Sequence, residues 1–434
     1  MTDIESSGGL ETGQLTVESI IAGGDGIARR PDGCVVFVPR SAPGDRVEVR
    51  FTEVHKQWRR AHIVRVLEGG PDRIEPPCAH YHACGGCHLQ HLTYRAQLTA
   101  KTGIIHDALR RIGKIEPPEF EIVPSVREFE YRNRVTFILR AGAEGITAGY
   151  HALDDPGRVI DVDRCPLAEA AVNRVWTQLR DLWRSGHDRL PAGPELRLTL
   201  RAASGGGVGL AIEGVREQGD LEAVLSSSEA LEAVWQTGPR GSIVARAGSK
   251  TLDDVWGPYR IRLAGTAFMQ VNRGTAELLY DWVREQCGSV AGERIVDAYC
   301  GFGVNALELA HRGARVTGID LDGRAVREAS RIASGLGVPA RFRIAQVERA
   351  LKKALPAAIV ILNPPRRGVA RPVIDTLLER PPARIIYVSC NPATLARDIN
   401  GLGARYRLVS CRAFDLFPQT AHVETVAVLE RQSQ

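Results

Sequence analysis

Nowhere do the 434 residues hold an apolar run approaching the ~18 needed to cross a bilayer, so no membrane association is expected. The start, MTDIESSGG, is acidic and polar rather than basic and then greasy, which points away from a secretory leader and toward a cytoplasmic protein. Cysteine is scarce. Nine over this length are too few for a disulfide scaffold, and the odd count suits a reducing compartment where clustered cysteines hold metal or do chemistry. An excess of one charge sign is also nearly lacking: a formal net charge of +5 is by itself weak evidence for a polyanionic partner. Neither an internal repeat of about 20 to 50 residues nor a long low-complexity tract is present, which excludes solenoids and mainly disordered chains. With 44% hydrophobic and 25% charged residues the composition is that of a soluble globular protein. At roughly 100 to 200 residues per domain, two to four units are expected.

Those units differ in texture. Residues 1–12 are polar and aperiodic and read as a disordered lead-in. Residues 13–68 alternate short β-type runs (QLTVESII, CVVFVP, RVEVRFTEV, AHIVRVLE) with turn signals, which predicts a small β-barrel. Nine basic residues stand against six acidic ones between 13 and 67, so this unit carries more than half of the net charge and suits nucleic acid. Residues 69–265 form a central α+β unit: the Cys- and His-rich PPCAHYHACGGCHLQH, a helix from about Thr93 to Ile112, then strand candidates RVTFILR, GITAGYH, LRLTLR, GVGLAI and SIVARA around a helix near Leu167–Trp183. These strands predict an antiparallel sheet. Residues 266–434 alternate helices with buried-type strands (RIVDAY, RVTGID, ARFRIA, AIVILN, RIIYVS), the pattern of a doubly wound α/β domain.

Within that last unit, RIVDAYCGFGVNALELA runs from a strand through a glycine turn into a helix, and RVTGIDLD ends the next strand on Asp320. Gly301 and Gly303 permit a tight turn and close backbone approach, while Asp320 suits the two hydroxyls of a ribose. No third glycine prepares the helix N-terminus for a pyrophosphate, so an adenosine without diphosphate, such as S-adenosylmethionine, fits better. Further chemistry-bearing segments end later strands: ILNPPRRG (Asn363 to Gly368), YVSCNP (Ser389 to Pro392) and AHVETV, with His422 and Glu424. Cys390 lies just before a helix start, where the positive helix end is expected to lower a thiol pKa. A thiolate beside a methyl donor has a definite use. C5 of uracil is too weak a nucleophile to take a methyl directly; thiolate addition to C6 activates it, and a base then removes the C5 proton. Cys390 would add and Glu424 would take the proton.

Taken in order, the TRAM-like barrel, CAHYHACGGCHLQH, EYRNRVTF, TAFMQVN, DAYCGFG, NPPRRG, SCNP and HVE make residues 13–430 resemble the RNA uracil-C5 methyltransferases, in the branch with an N-terminal TRAM domain and a [4Fe–4S] cluster that modifies 23S ribosomal RNA. The resemblance implies Cys390 as nucleophile and Glu424 as general base. It implies Gln270, Tyr299 and Asp320 as contacts to S-adenosylmethionine, with Gln346 in RFRIAQ as a further one. It implies Cys78, Cys84, Cys87 and Cys165 as cluster ligands. Two positions depart from the family pattern: Asn363 stands where an aspartate is usual, keeping a carbonyl acceptor without the charge, and Val304 stands where an asparagine often follows the second glycine, with Asn305 one step on.

The spacing C-x5-C-x2-C plus one distant cysteine supplies four thiolates, enough for zinc or a [4Fe–4S] cluster; His80, His82, His88 and His91 keep zinc open, and the resemblance favours iron–sulfur. Cys34, Cys287, Cys300 and Cys411 are the other conceivable fourth ligands. A target uracil must leave its stack to reach Cys390, so Phe268 is expected as a stacking platform; of Arg132, Arg134, Arg366 and Arg367, which could meet flanking phosphates, only Arg366 is kept as an expected contact, because exposed arginines more often solvate a surface. A uridine of transfer RNA is the alternative acceptor. An exocyclic amino group, which an Asn-Pro-Pro segment can serve, leaves Cys390 and Glu424 unexplained. A non-catalytic iron–sulfur RNA-binding protein is the alternative of another class. No protein partner is called for, and a monomer is the simpler expectation.

Overall fold

The structure, a computed structural model, describes residues 11–142, 145–185 and 191–432. Most of the lead-in expected at 1–12 lies outside them. Glu11, however, pairs with Arg30 and Arg59, and Thr12 already opens the first strand.

Strands β1 (Thr12–Ile20), β2 (Gly26–Arg29), β3 (Val35–Val38), β4 (Arg46–Val54) and β5 (Trp58–Glu68) close a barrel in the order β1-β2-β3-β5-β4. Period-two alternation decides which way it faces: Leu15 and Val17, then Val47, Val49 and Phe51, point into one small core.

The cysteine segment leads into α1 (Tyr94–Arg111), whose first turn is capped by the Thr93 hydroxyl accepting from the Ala96 amide. This helix does not belong with the central sheet. Its Ile105, Ala108 and Leu109 pack among residues of the C-terminal sheet, and β6 (Ile122–Val123) pairs parallel to the edge of that sheet.

The central sheet contains β7 (Arg134–Gly142), β8 (Gly145–His151), β9 (Val159–Asp161), β10 (Leu196–Ala202), β11 (Val208–Glu213), β12 (Leu231–Thr237) and β13 (Ile243–Gly248), in the order β13-β12-β11-β10-β7-β8-β9. Helix α2 (Ala170–Ser185) covers it, with Trp176 stacked on Phe137 at 3.8 Å between ring centroids. The expected antiparallel arrangement fails at one pair. β11 and β12 run parallel because the connection between them crosses over through α3 (Leu221–Leu225). A hairpin of β14 (Leu252–Trp256) and β15 (Tyr259–Leu263) follows.

The C-terminal part alternates α4 (Arg273–Cys287), β16 (Arg294–Ala298), α5 (Val304–His311), β17 (Arg315–Asp320), α6 (Gly323–Leu336), β18 (Ala340–Ile344), α7 (Val347–Ala354), β19 (Ile359–Leu362), α8 (Arg371–Glu379), β20 (Arg384–Ser389), α9 (Pro392–Leu402), β21 (Tyr406–Phe414) and β22 (Glu424–Arg431). The sheet order is β18-β17-β16-β19-β20-β22-β21-β6, with β22 antiparallel to both neighbours. Consecutive residues such as Ile295 and Val296, or Val360 and Ile361, fall in two different cores, so both faces are covered and the strands read as continuous apolar runs. Strand order reverses between β16 and β19, which opens a ligand crevice at their C-terminal ends.

Candidate active site

At the end of β16 the chain turns sharply. Tyr299 adopts φ 63° and Gly303 φ 73°. At Gly303, the N-cap of α5, a Cβ would stand 2.6 Å from the Phe342 ring, so the turn can approach β18 only without a side chain. Gly301 faces open space instead. Asp320 ends β17 with its Oδ2 accepting from the Gly301 amide at 2.8 Å and its Oδ1 from the Asp322 amide at 2.8 Å. Beneath it, burial and the Asp320 charge push the Asp297 carboxyl up to about 7. The Asn363 amide donates to the Ala298 carbonyl, which sets Asn363 beside the same turn. Tyr299, Gly301, Gly303, Asp320 and Asn363 are thus gathered at neighbouring strand ends, and Gln346 follows β18 as the exposed N-cap of α7. Gln270 enters separately, buried ahead of α4, with its backbone carbonyl accepting from the Asn133 side chain. Leu321, 62% exposed, and Ile344, the ladder partner of Asp320, add apolar surface suited to an adenine; a bare leucine directly after the acidic strand end was the signal that sequence reading passed over.

Cys390 and Glu424 lie on the other side of the reversal. Ser389 pairs with Thr425 at the end of the β20–β22 ladder; Cys390 follows Ser389 and Glu424 precedes Thr425, and the Glu424 charge acts on the Cys390 thiol. Glu424 is 5% exposed, and burial pushes its carboxyl up to about 8. Here the thiol expectation is corrected. Burial and the Glu424 charge push Cys390 up to about 11, outweighing any help from α9, whose free Ala393 amide is already taken by the Asn391 side chain. The positive charge of the nearby Arg366 guanidinium pulls the other way. Its loop is held because the Arg366 carbonyl accepts from Asn391 Nδ2 and Thr394 Oγ1. Arg366 also reaches His422 Nε2 at 3.2 Å, and burial with Arg366 nearby pushes His422 down to about 4, leaving a neutral ring that accepts from the guanidinium. Sequence reading missed this link, since a single histidine ahead of Glu424 carries no such signal.

Cys78, Cys84, Cys87 and Cys165 line one cavity together with Tyr81, Arg132 and Tyr150, and none forms a disulfide. The four converge, but among the described residues no group of three or more His, Cys, Asp or Glu is set to hold a metal ion. His80 pairs with Asp163, and His91 is bonded by Tyr81 and the Ser41 carbonyl, so these histidines are committed elsewhere. Phe268 is 61% exposed, with the Arg134 guanidinium 5.4 Å from its ring centroid.

The family model for tRNA (Uracil-5-)-methyltransferases matches residues 342–432, a methyltransferase-domain model matches 295–380, and a TRAM-domain model matches 11–64. An uncharacterized RNA methyltransferase of Gloeobacter violaceus is 34% identical over 445 residues, covering 97% of each chain. The crystal structure of a Pyrococcus abyssi tRNA (uracil-54, C5)-methyltransferase with S-adenosyl-L-homocysteine superposes with a TM-score of 0.76 at 27% identity, over 96% of this chain and all of that one. The chain belongs to the RNA uracil-C5 methyltransferase family. A further RNA methyltransferase, from Thermosynechococcus vestitus, is 33% identical over 438 residues, covering 96% of this chain and 97% of the relative. This uracil-C5 methyltransferase is therefore an S-adenosylmethionine-dependent, RNA-modifying enzyme, and the non-catalytic alternative is set aside. Its uracil-5-specific match, 342–432, spans Gln346, Asn363, Arg366, Cys390, His422 and Glu424. Among the described residues no helix is long and apolar enough to cross a membrane.

Proposed function

We propose that this cytoplasmic enzyme methylates C5 of one uridine in 23S ribosomal RNA through a covalent bond between Cys390 and C6 of the base. The observation that carries the proposal is that Cys390, directly after the last residue of β20, lies close enough to the buried Glu424 and to Arg366 for both charges to act on its thiol. S-adenosylmethionine supplies the methyl group when bound, held by Gln270, Tyr299, Gly301, Gly303, Asp320, Gln346 and Asn363. Arg366 stabilises the thiolate of Cys390, which adds to C6 and moves the C5–C6 electron pair toward O4, making C5 the nucleophile. After C5 is alkylated, the Glu424 carboxylate takes the C5 proton; that electron pair re-forms the double bond while the C6–S bond breaks, returning the thiolate. A dry pocket suits both groups, because a buried carboxyl near 8 is a stronger base than a free one.

Cys78, Cys84, Cys87 and Cys165, four free thiols on one cavity, can hold a [4Fe–4S] cluster, and the resemblance to the cluster-bearing branch favours it over a four-thiolate zinc site. The cluster's role is structural, because the methyl transfer moves no net electrons. Iron and acid-labile sulfide bound to the anaerobically purified protein, lost in Cys84→Ser, test it; stoichiometric zinc without sulfide would replace it with the zinc reading.

Incubation with RNA carrying 5-fluorouridine tests the mechanism. Fluorine cannot leave as a proton, so a denaturation-resistant protein–RNA adduct at Cys390 is expected, and full activity on uridine with no trapped adduct would overturn the covalent route. A uridine of transfer RNA is the second reading, favoured by the Pyrococcus abyssi likeness; parallel assays on 23S and transfer RNA transcripts choose between them.

A further inference from the structure

Beside the crevice, the central sheet holds a charge arrangement that neither the mechanism nor the fold requires. Arg134 on β7 and Arg201 on β10 are direct cross-strand partners, a like-charge pair that weakens a sheet. Both guanidiniums donate to a single acceptor, the Ala267 carbonyl. Arg201 is only 3% exposed, and its Nε and Nη1 are buried with no hydrogen-bond partner. Neither arginine has an ion pair among the described residues. The carboxylate that Arg201 senses most, Asp254, is already bound to Arg273 at 2.8 and 2.9 Å, to the Trp256 indole and to the Ser204 amide. Burial pushes the Arg201 guanidinium down to about 9, the mark of a cation kept from both water and a counter-charge. Such a group costs stability unless an anion completes it.

The surroundings say which anion. Ala267 is followed by Phe268, whose exposed ring already lies against Arg134, and Gln270 of the cofactor set comes two residues later. An exposed aromatic ring beside an uncompensated arginine pair matches both ends of one nucleotide: the base stacks and the phosphate is gripped. We infer that Arg134, backed from beneath by the buried charge of Arg201, forms a phosphate site for the RNA substrate, with Phe268 stacking the attached base, next to the uridine being methylated. This rests on the proposal that a folded RNA is the substrate and specifies where its backbone is held. The unpaired charges are tolerated because the complex, rather than the free protein, supplies their partner.

Binding of the full-length wild type, Arg134→Ala and Arg201→Met to 23S and transfer RNA transcripts, across a salt series, tests the site. Each variant should bind the preferred transcript roughly tenfold more weakly, and the slope of log affinity against log salt should fall by about one. S-adenosylmethionine affinity, titrated separately, should stay unchanged. Arg201→Met should melt no lower than wild type, because removing a buried unpaired charge relieves the free protein. Should the Met variant fail to fold, Arg134→Ala, which trims a half-buried side chain, decides alone. Wild-type affinity and salt slope in Arg134→Ala would overturn the phosphate site, while a wild-type enzyme that binds neither transcript would overturn the substrate proposal itself.

Discussion

Cys390 and Glu424 flank the Ser389–Thr425 pair that ends the β20–β22 ladder, and the Glu424 charge acts on the Cys390 thiol, so the proposed nucleophile and base are both placed by that sheet end. A rigid sheet end positions both better than a loop would. Replacing Glu424 by Gln keeps the shape but removes the base. The adduct should then form on ordinary uridine RNA and fail to resolve, with turnover down by roughly 10²- to 10⁴-fold. A denaturing gel should show protein–RNA complex accumulating in Glu424→Gln and none in Cys390→Ala. Turnover within a few-fold of wild type for Glu424→Gln would leave the base unidentified.

The raised carboxyl also makes two pH predictions. With Glu424 at about 8, the fraction ready to act as base grows as pH rises through 8, so kcat/KM should climb across that range. Stability should move the other way. The folded value lies above the ordinary 4.5, so between the two the native protein holds a proton that the unfolded chain has released. This contribution is fully present below about 4.5 and lost as pH rises through about 8, at about 1.4 kcal/mol per unit of separation. Urea midpoints of wild type and Glu424→Gln should therefore diverge from pH 5 to pH 8, the variant gaining; parallel curves would mean that Glu424 is solvated.

How much of this could be read beforehand depended on whether the signal was local. The glycine turn after RIVDAY, the acid ending RVTGID and the cysteine before a helix are sequence-adjacent features, and they come to rest at strand ends along one sheet edge. The two residues of β6, and the choice of α1 to pack on the C-terminal sheet, carry no local signature; non-local packing decides them. The Cys390 thiol was misjudged for a related reason. A helix start is visible in sequence, whereas burial beside Glu424 is not. The Arg134–Arg201 pair likewise exists only once the β7–β10 register is known.

The two glycines of the cofactor turn should respond differently to alanine. Gly303→Ala forces a Cβ to 2.6 Å from the Phe342 ring at a positive φ, so it should destabilise the fold by roughly 1–3 kcal/mol and abolish cofactor binding. Gly301 has a positive φ of 52° but no neighbour within 4 Å of an added Cβ. Its alanine variant should fold with a smaller loss and bind S-adenosylmethionine more weakly, because the methyl projects into space left for the ligand. Thermal melts with calorimetric titration separate the two. Equal melting losses with unchanged cofactor affinity in Gly301→Ala would remove that glycine from the cofactor set.

Lys101 and Asp415 form an ion pair with no solvent exposure, 2.5 Å apart, joining α1 to the segment that leads into His422 and Glu424. Lys101 also donates to the Phe417 carbonyl, and Gln97, one turn earlier, is bonded both ways to Gln419. The Gln419 carbonyl in turn accepts from the His88 and Leu89 amides of the cysteine segment. One strut thus ties the cysteine segment, the helix and the segment leading into Glu424 together. Lys101→Met leaves Asp415 buried without its cation and should cost about 3–5 kcal/mol. The double variant Lys101→Met/Asp415→Leu removes both charges and should recover most of that loss, because desolvating two ions offsets much of their attraction. Chemical denaturation of the four proteins in the cycle reads the coupling directly. Activity separates stability from placement: if the strut also fixes Glu424, the double variant should be stable yet slow in resolving the adduct, and wild-type turnover in it would limit the pair to holding the fold.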